Sequence, residues 1–125
     1  MELKLKRATE PPAKSDGARV LVDRLWPRGI SKEKLKPDAW VKEIAPSDAL
    51  RKWFGHEPEK WRGFRERYAK ELDANPAEVK ALQDLLREHG TVTLLFDARD
   101  VEHNNAVALQ QYMRRRMPRK GKTRP

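Results

Sequence analysis

The chain predicts a small α/β domain, with a largely parallel sheet of about four strands flanked by helices. Two short apolar runs, Val20-Leu21-Val22 and "TVTLLF" at 91–96, lack polar alternation, as strands covered on both faces do. Between them, apolar residues recur at helical spacing. Strands separated by helices are joined by crossovers, which favour parallel pairing. At 125 residues the chain suffices for one core and is too short for two. Strand order is not legible from these patterns.

The elements follow in order. Leu3 and Leu5 alternate with polar residues, a short strand near a sheet edge, and "EPPAKSDG" (10–17) is a polar loop with paired prolines. After Val20-Leu21-Val22, Pro27 suits the second position of a type I turn with Gly29 at its end. Ser31 caps a short helix through about Leu35, and "AWVKEI" (39–44) is a third strand candidate. Three helices follow. Leu50, Trp53 and Phe54 share a face of the first, with Ser47 as its N-cap; Trp61, Phe64, Tyr68 and Leu72 form the stripe of the second. The third opens on Asn75-Pro76-Ala77-Glu78, a capping residue, a proline at the first helical position and a glutamate at the third. It buries Val79, Leu82, Leu85 and Leu86 and stops at His89-Gly90. After "TVTLLF", the chain passes through "DARDVEH" into "NNAVALQQYMRRR", where Ala106, Leu109, Tyr112 and Met113 face the core.

Composition narrows the chemistry. Without cysteine there are no disulfides, thiolate nucleophiles or Cys-based zinc sites, and a reducing compartment fits. No apolar run approaches the ~18 residues of a membrane span, and "MELKLKRATE" lacks a secretory apolar region, so a cytoplasmic location without membrane contact is expected. The formal charge of +9 is concentrated at one end. Residues 114–125 carry seven basic side chains and no acid, which leaves 21 basic against 19 acidic side chains in residues 1–113. Residues 1–113 are therefore read as the domain and 114–125 as a basic tail, either disordered and solvated or making sequence-blind contacts to phosphates or acidic partners.

Candidate chemistry sits where the apolar runs stop. In open parallel sheets, ligands bind beyond the carboxyl ends of the strands. Asp23, Arg24 and Arg28 follow the first buried run, and Asp97, Arg99, Asp100, Glu102 and His103 the last. If the two strands are parallel neighbours these groups converge, with the helix start near Asn104 offering free N–H groups to an anion. Alternation puts Asp23 and Arg24 on opposite faces and Arg24 on the side of Trp26, which can stack on a guanidinium or a planar ligand. The structural alternative is that Arg24 or Arg28 pairs with Asp97 or Asp100 only to tie two strand ends together. His56 and His103 show no His-x-x-x-His or Glu-x-x-His spacing, so no metal is assigned; no Gly-x-Gly-x-x-Gly, P-loop or Gly-x-Ser-x-Gly motif is present, so no cofactor is either.

The segments "RVLVDRLWPRGISKEKL", "EIAPSDALRKWFGHEPEKWRGFRERYAKEL" and "VTLLFDARDVEHNNAVAL" resemble the YeaO-like family of uncharacterised bacterial proteins, in the domain of unknown function 488 class, over about residues 2 to 116. Positions matching the family pattern include Asp23, Arg24, Trp26, Pro27, Arg28, Gly29, Pro46, Ser47, Arg51, His103 and Asn104, whereas Asp97 and Arg99 lie where relatives vary. The resemblance thereby supports Asp23, Arg24, Arg28, His103 and Asn104 over those two, and Trp26, Ser47 and Arg51 complete the candidate site. More distant members carry a cysteine-bearing loop before the last helix, similar to rhodanese and phosphatase sites; Phe96 and Asp97 stand there in this chain, so thiolate chemistry does not carry over.

The leading expectation is a domain that binds a small anionic ligand, a nucleotide or phosphate-like group, at the strand ends. Arg24 and Arg28 would hold the charge, and Asp23 or His103 would serve as acid or base were it an enzyme. The competing expectations are a nucleic-acid-binding or regulatory protein using residues 114–125, and a purely structural domain.

Overall fold

A computed structural model of the chain describes residues 1–116. Four strands, β1 (Glu2–Arg7), β2 (Ala18–Leu21), β3 (Ala39–Trp40) and β4 (Thr91–Phe96), form one all-parallel sheet in the order β1-β4-β2-β3. Five helices connect or flank them: α1 (Lys32–Leu35), α2 (Asp48–Phe54), α3 (Trp61–Asp73), α4 (Pro76–His89) and α5 (Asn105–Arg116). The two apolar runs are the interior strands and lie side by side, with Val20 opposite Leu94 and Leu21 opposite Leu95.

Side-chain alternation divides the core. Ala18, Val20, Val92, Leu94 and Phe96 point to one face and pack with Leu50, Phe54, Phe64, Tyr68, Leu82, Leu86, Leu109 and Met113 of α2 to α5. Leu21 and Leu95 point to the other face, which is covered by Ala8, Leu35, Trp26 and Ile30 rather than by long helices. That second face also buries charge. Arg19 is 5% and Asp16 3% exposed. The Arg19 guanidinium donates to Asp16 Oδ2 at 2.6 Å and from Nε to the Leu35 carbonyl at 3.0 Å, while Lys6 Nζ donates to Asp16 Oδ1 at 2.9 Å.

Local signals met tertiary structure with mixed results. Ser31 and Ser47 cap α1 and α2, accepting from the backbone N–H of Lys34 and Leu50. The stripes on α3, α4 and α5 are buried, though Leu85 is only partly so. Asn75 precedes α4 but makes no side-chain cap; its amide donates to the Glu43 carbonyl at 3.1 Å instead. The turn after β2 runs from Pro27 to Ile30, one position later than expected. Gly29 then occupies its third position at φ 77°, which is the type II requirement and not type I. "AWVKEI" pairs only through Ala39 and Trp40 before Lys42–Ile44 tightens into a 3-10 turn. The domain helix α5 continues through Arg114, Arg115 and Arg116, so the first three arginines of the basic segment are helical; residues 117–125 lie outside those described. No helix among the described residues is long and apolar enough to cross a membrane.

Candidate functional site

The strand order creates a crevice. The chain leaving β2 turns outward to β3, whereas the chain leaving β4 returns over β1 and β4 as α5, where Gln110 Nε2 donates to the Leu3 carbonyl at 2.7 Å. Connections that part in this way above two adjacent parallel strands leave a gap at their carboxyl ends. The gap is a cleft of about 640 Å³, lined by polar residues Asp23, Arg24, Arg28, Arg51, His56, Asp97, Arg99, Asp100 and Asn105 and by an apolar wall that includes Leu25, Trp26 and Pro46.

Asp23 is the joint between the strand ends. Its Oδ2 accepts from the Asp97 N–H at 2.9 Å and its Oδ1 from Asn105 Nδ2 at 3.0 Å, and the same amide also donates to the Val22 carbonyl at 3.2 Å. Burial raises the Asp23 carboxyl above the ordinary carboxylate range, and the neighbouring Asp97 charge adds to this; the two hydrogen bonds pull the other way. The tie between β2 and β4 is thus made by Asp23, not by an arginine paired with Asp97 or Asp100.

Arg24 is held by the chain ahead of α2. Its Nη2 donates to the carbonyls of Ala45 and Pro46 at 3.2 and 3.4 Å, and its Nη1 lies 3.6 Å from Glu43 Oε1. Its Nε is buried without an acceptor among the described residues. β2 ends at Leu21, two residues before Asp23, so a strand's period does not govern Asp23, Arg24 and Trp26. Trp26 is held by a hydrogen bond from Nε1 to the Ile30 carbonyl at 2.6 Å and meets Trp40 edge-on at 5.6 Å. Its ring is therefore a fixed wall. Arg28 and Arg99 are exposed on the cleft rim and form no ion pair among the described residues, whereas Arg51 pairs with Asp48. The arginine, together with Lys52, holds the Asp48 carboxyl below its usual range.

Of the sequence-derived candidates, Asp23, Arg24, Trp26, Arg28 and Arg51 line the cleft, and Ser47, His103 and Asn104 do not. Ser47 donates from Oγ to Glu71 Oε2 at 2.6 Å while capping α2, which ties α2 to α3. Asn104 is buried as the cap of α5: its Oδ1 accepts from the Val107 N–H at 3.0 Å and its Nδ2 donates to the Asp100 carbonyl at 2.8 Å. His103 has Nδ1 3.0 Å from Asp100 Oδ2 and packs edge-on against Trp61 at 5.3 Å. Backbone N–H groups of Glu102 and His103, with that imidazole, hold the Asp100 carboxyl below its ordinary value. Asn105, His56, Asp97, Arg99 and Asp100 line the cleft outside the candidate set, the last three among the polar groups expected to converge beyond β4. Asn105 had a usable signal: the stripe Ala106, Leu109, Tyr112 and Met113 fixes the first turn of α5, and with it which asparagine caps and which turns to the strand ends. Among the described residues, no three histidine or carboxylate groups gather as a metal site.

A family described as the inactive DUF488-N3 subclade matches residues 2–125. The chain is 44% identical over 114 residues to the uncharacterized protein YeaO of Escherichia coli K12, covering 91% of this chain and 98% of the relative. It is 36% identical over 111 residues to the uncharacterized proteins Mb3100c of Mycobacterium bovis and Rv3073c of Mycobacterium tuberculosis H37Rv, covering 89% of this chain and 92% of each relative. No solved structure matches the chain.

Proposed function

The chain belongs to the DUF488 family of YeaO-like proteins, in the subclade described as inactive, and from that premise we propose that it binds a small anionic ligand, a nucleotide or phosphate-like group, in the cleft above β2 and β4 without transforming it. One observation carries the reading. Four arginines, Arg24, Arg28, Arg51 and Arg99, line a single cleft against three half-buried carboxyls, Asp23, Asp97 and Asp100. Arginine suits such a task because its planar fork meets a phosphate or carboxylate with two parallel hydrogen bonds. The first residue of α5, Asn105, is part of the wall, so the positive end of that helix adds to the field at the cleft. The apolar wall with Trp26 gives a planar portion of the ligand a surface to lie on.

Binding without turnover is favoured over catalysis by the engagement of the candidate acid–base groups. Both carboxylate oxygens of Asp23 already accept structural hydrogen bonds, and His103, which does not itself line the cleft, is engaged by Asp100 and packs on Trp61. The family's description as inactive points the same way.

A thermal-shift screen of nucleotides, sugar phosphates and inorganic phosphate tests the proposal. A ligand that binds only the folded chain stabilises it by about 2.7 kcal/mol at 100 times its Kd. The expected outcome is a rise in Tm with at least one phosphate-bearing compound, lost in Arg28→Ala; no rise with any anion, or an equal rise in the variant, counts against it.

A further inference from the structure

We propose that a second basic site, the groove between α3 and α5, docks the phosphate backbone of a nucleic acid. The groove, about 480 Å³, is walled by Arg62, Arg65, Glu66, Ala69 and Lys70 of α3 and by Arg115 of α5, and shares no residue with the strand-end cleft. Positions 62, 65, 66 and 69 recur at helical spacing and so fall on one face of α3. The small side chain of Ala69 keeps the floor open between long cationic neighbours. Four cations stand against a single carboxylate, Glu66, which lies 3.5 Å from Arg62. Arg65 is fixed in place: its Nη1 donates to Gln111 Oε1 at 3.1 Å across to α5, and its guanidinium sits 5.6 Å over the Trp61 ring.

The chemistry of the surface selects the partner. The large exposed hydrophobic residues among those described are Met1, Leu25, Trp40 and Val101, and none is in the groove. A protein partner or a bilayer would find no apolar anchor there. A polymer of regularly spaced negative charges needs none, since neutralising its phosphates releases counterions. The chain also leaves α5 at Arg116, beside Arg115, and its following residues add Arg119, Lys120, Lys122 and Arg124 with no acid.

The test is fluorescence anisotropy of the full chain with a DNA duplex of about 20 base pairs, titrated between about 50 and 200 mM salt. The comparison is the triple variant Arg62→Ala, Lys70→Ala, Arg115→Ala, whose three positions are exposed; an unchanged Tm shows that the fold is kept. The expected result is a steep dependence of log K on log salt in the wild type, with the slope reduced by about 2 to 3 in the variant. A chain ending at Arg116 should keep the part of the slope that the triple variant removes. Equal affinity and slope in wild type and triple variant would overturn the proposal, as would tighter binding to phosphatidylserine vesicles than to the duplex, or equal competition by polyglutamate. None of these results bears on the thermal shift in the cleft, which depends on Arg28.

Discussion

Asp23 carries more of the molecule than a residue at a strand end usually does. Replacing it with alanine leaves the Asp97 N–H without its acceptor and the Asn105 amide with only the Val22 carbonyl. Asp23→Ala should therefore lose about 1–3 kcal/mol, read as a lower urea midpoint at neutral pH. Its titration gives a second expectation. Because the folded carboxyl is raised above 3.8, the favourable contribution of its neutral form is complete below that pH and is lost as pH rises through the folded value. Urea midpoints measured from about pH 3 to about pH 7 should shift in favour of Asp23→Asn relative to the wild type as pH increases. Asp16 behaves in the opposite sense. Burial alone would raise it, but Lys6, the Ala13 N–H and Arg19 outweigh burial and hold it down at about 2. Its stabilisation is present above 3.8 and is lost as pH falls through about 2. Asp16→Ala strands the buried Arg19 guanidinium and should cost about 3–5 kcal/mol in the same assay. Asp23 and Arg24 were legible in the sequence as residues out of place after an apolar run. The partners that define their roles were not, because Asp97 and Asn105 reach Asp23 only once β4 lies beside β2, and the carbonyls of Ala45 and Pro46 reach Arg24 from a segment more than twenty residues away.

Among the elements, those with a repeated signal were the readable ones. The boundaries of β4 and the buried stripes of α3, α4 and α5 follow from apolar spacing, which a buried face enforces over several turns. Single-residue signals were weaker. Asn75-Pro76 marks the start of α4, yet the asparagine spends its side chain on Glu43 of a neighbouring segment. The turn at Pro27–Ile30 lies one position later than its proline and glycine indicated, with Trp26 Nε1 donating to the Ile30 carbonyl. Two glycines separate conformational from packing cost. Gly17 has φ 64°, and a Cβ there would lie 2.2 Å from the Thr91 carbonyl oxygen, at the point where the chain enters β2 beside β4. Gly29 has φ 77°, and a Cβ there would meet nothing within 4 Å. Gly29→Ala should cost about 1–2 kcal/mol from backbone conformation alone. Gly17→Ala combines that strain with a backbone clash and should cost about 3 kcal/mol or more, measured by thermal unfolding of the two variants side by side.

At the scale of the whole molecule, the formal charge of +9 is a poor guide until it is located. Residues 1–113 are nearly balanced, and basic side chains gather in two separate places, the strand-end cleft and the groove beside the end of α5. The cleft was foreseeable in outline, since two buried strands with polar residues beyond their ends imply a site wherever they are parallel neighbours. Its membership was less so: Ser47 and Asn104 serve as caps and His103 binds the lining residue Asp100 from outside, Asp97, Arg99 and Asp100 enter it as residues beyond β4 should, and His56 and Asn105 enter it through connections whose course depends on strand order. The most direct measurement is amide-resolved NMR of the chain titrated with pyrophosphate at physiological salt. The expected result is a set of saturable shifts concentrated at residues 23–30 and 97–105, abolished by Arg28→Ala with the remaining spectrum intact. Shifts confined to α3 and α5, or none that saturate, would contradict an anion site above β2 and β4.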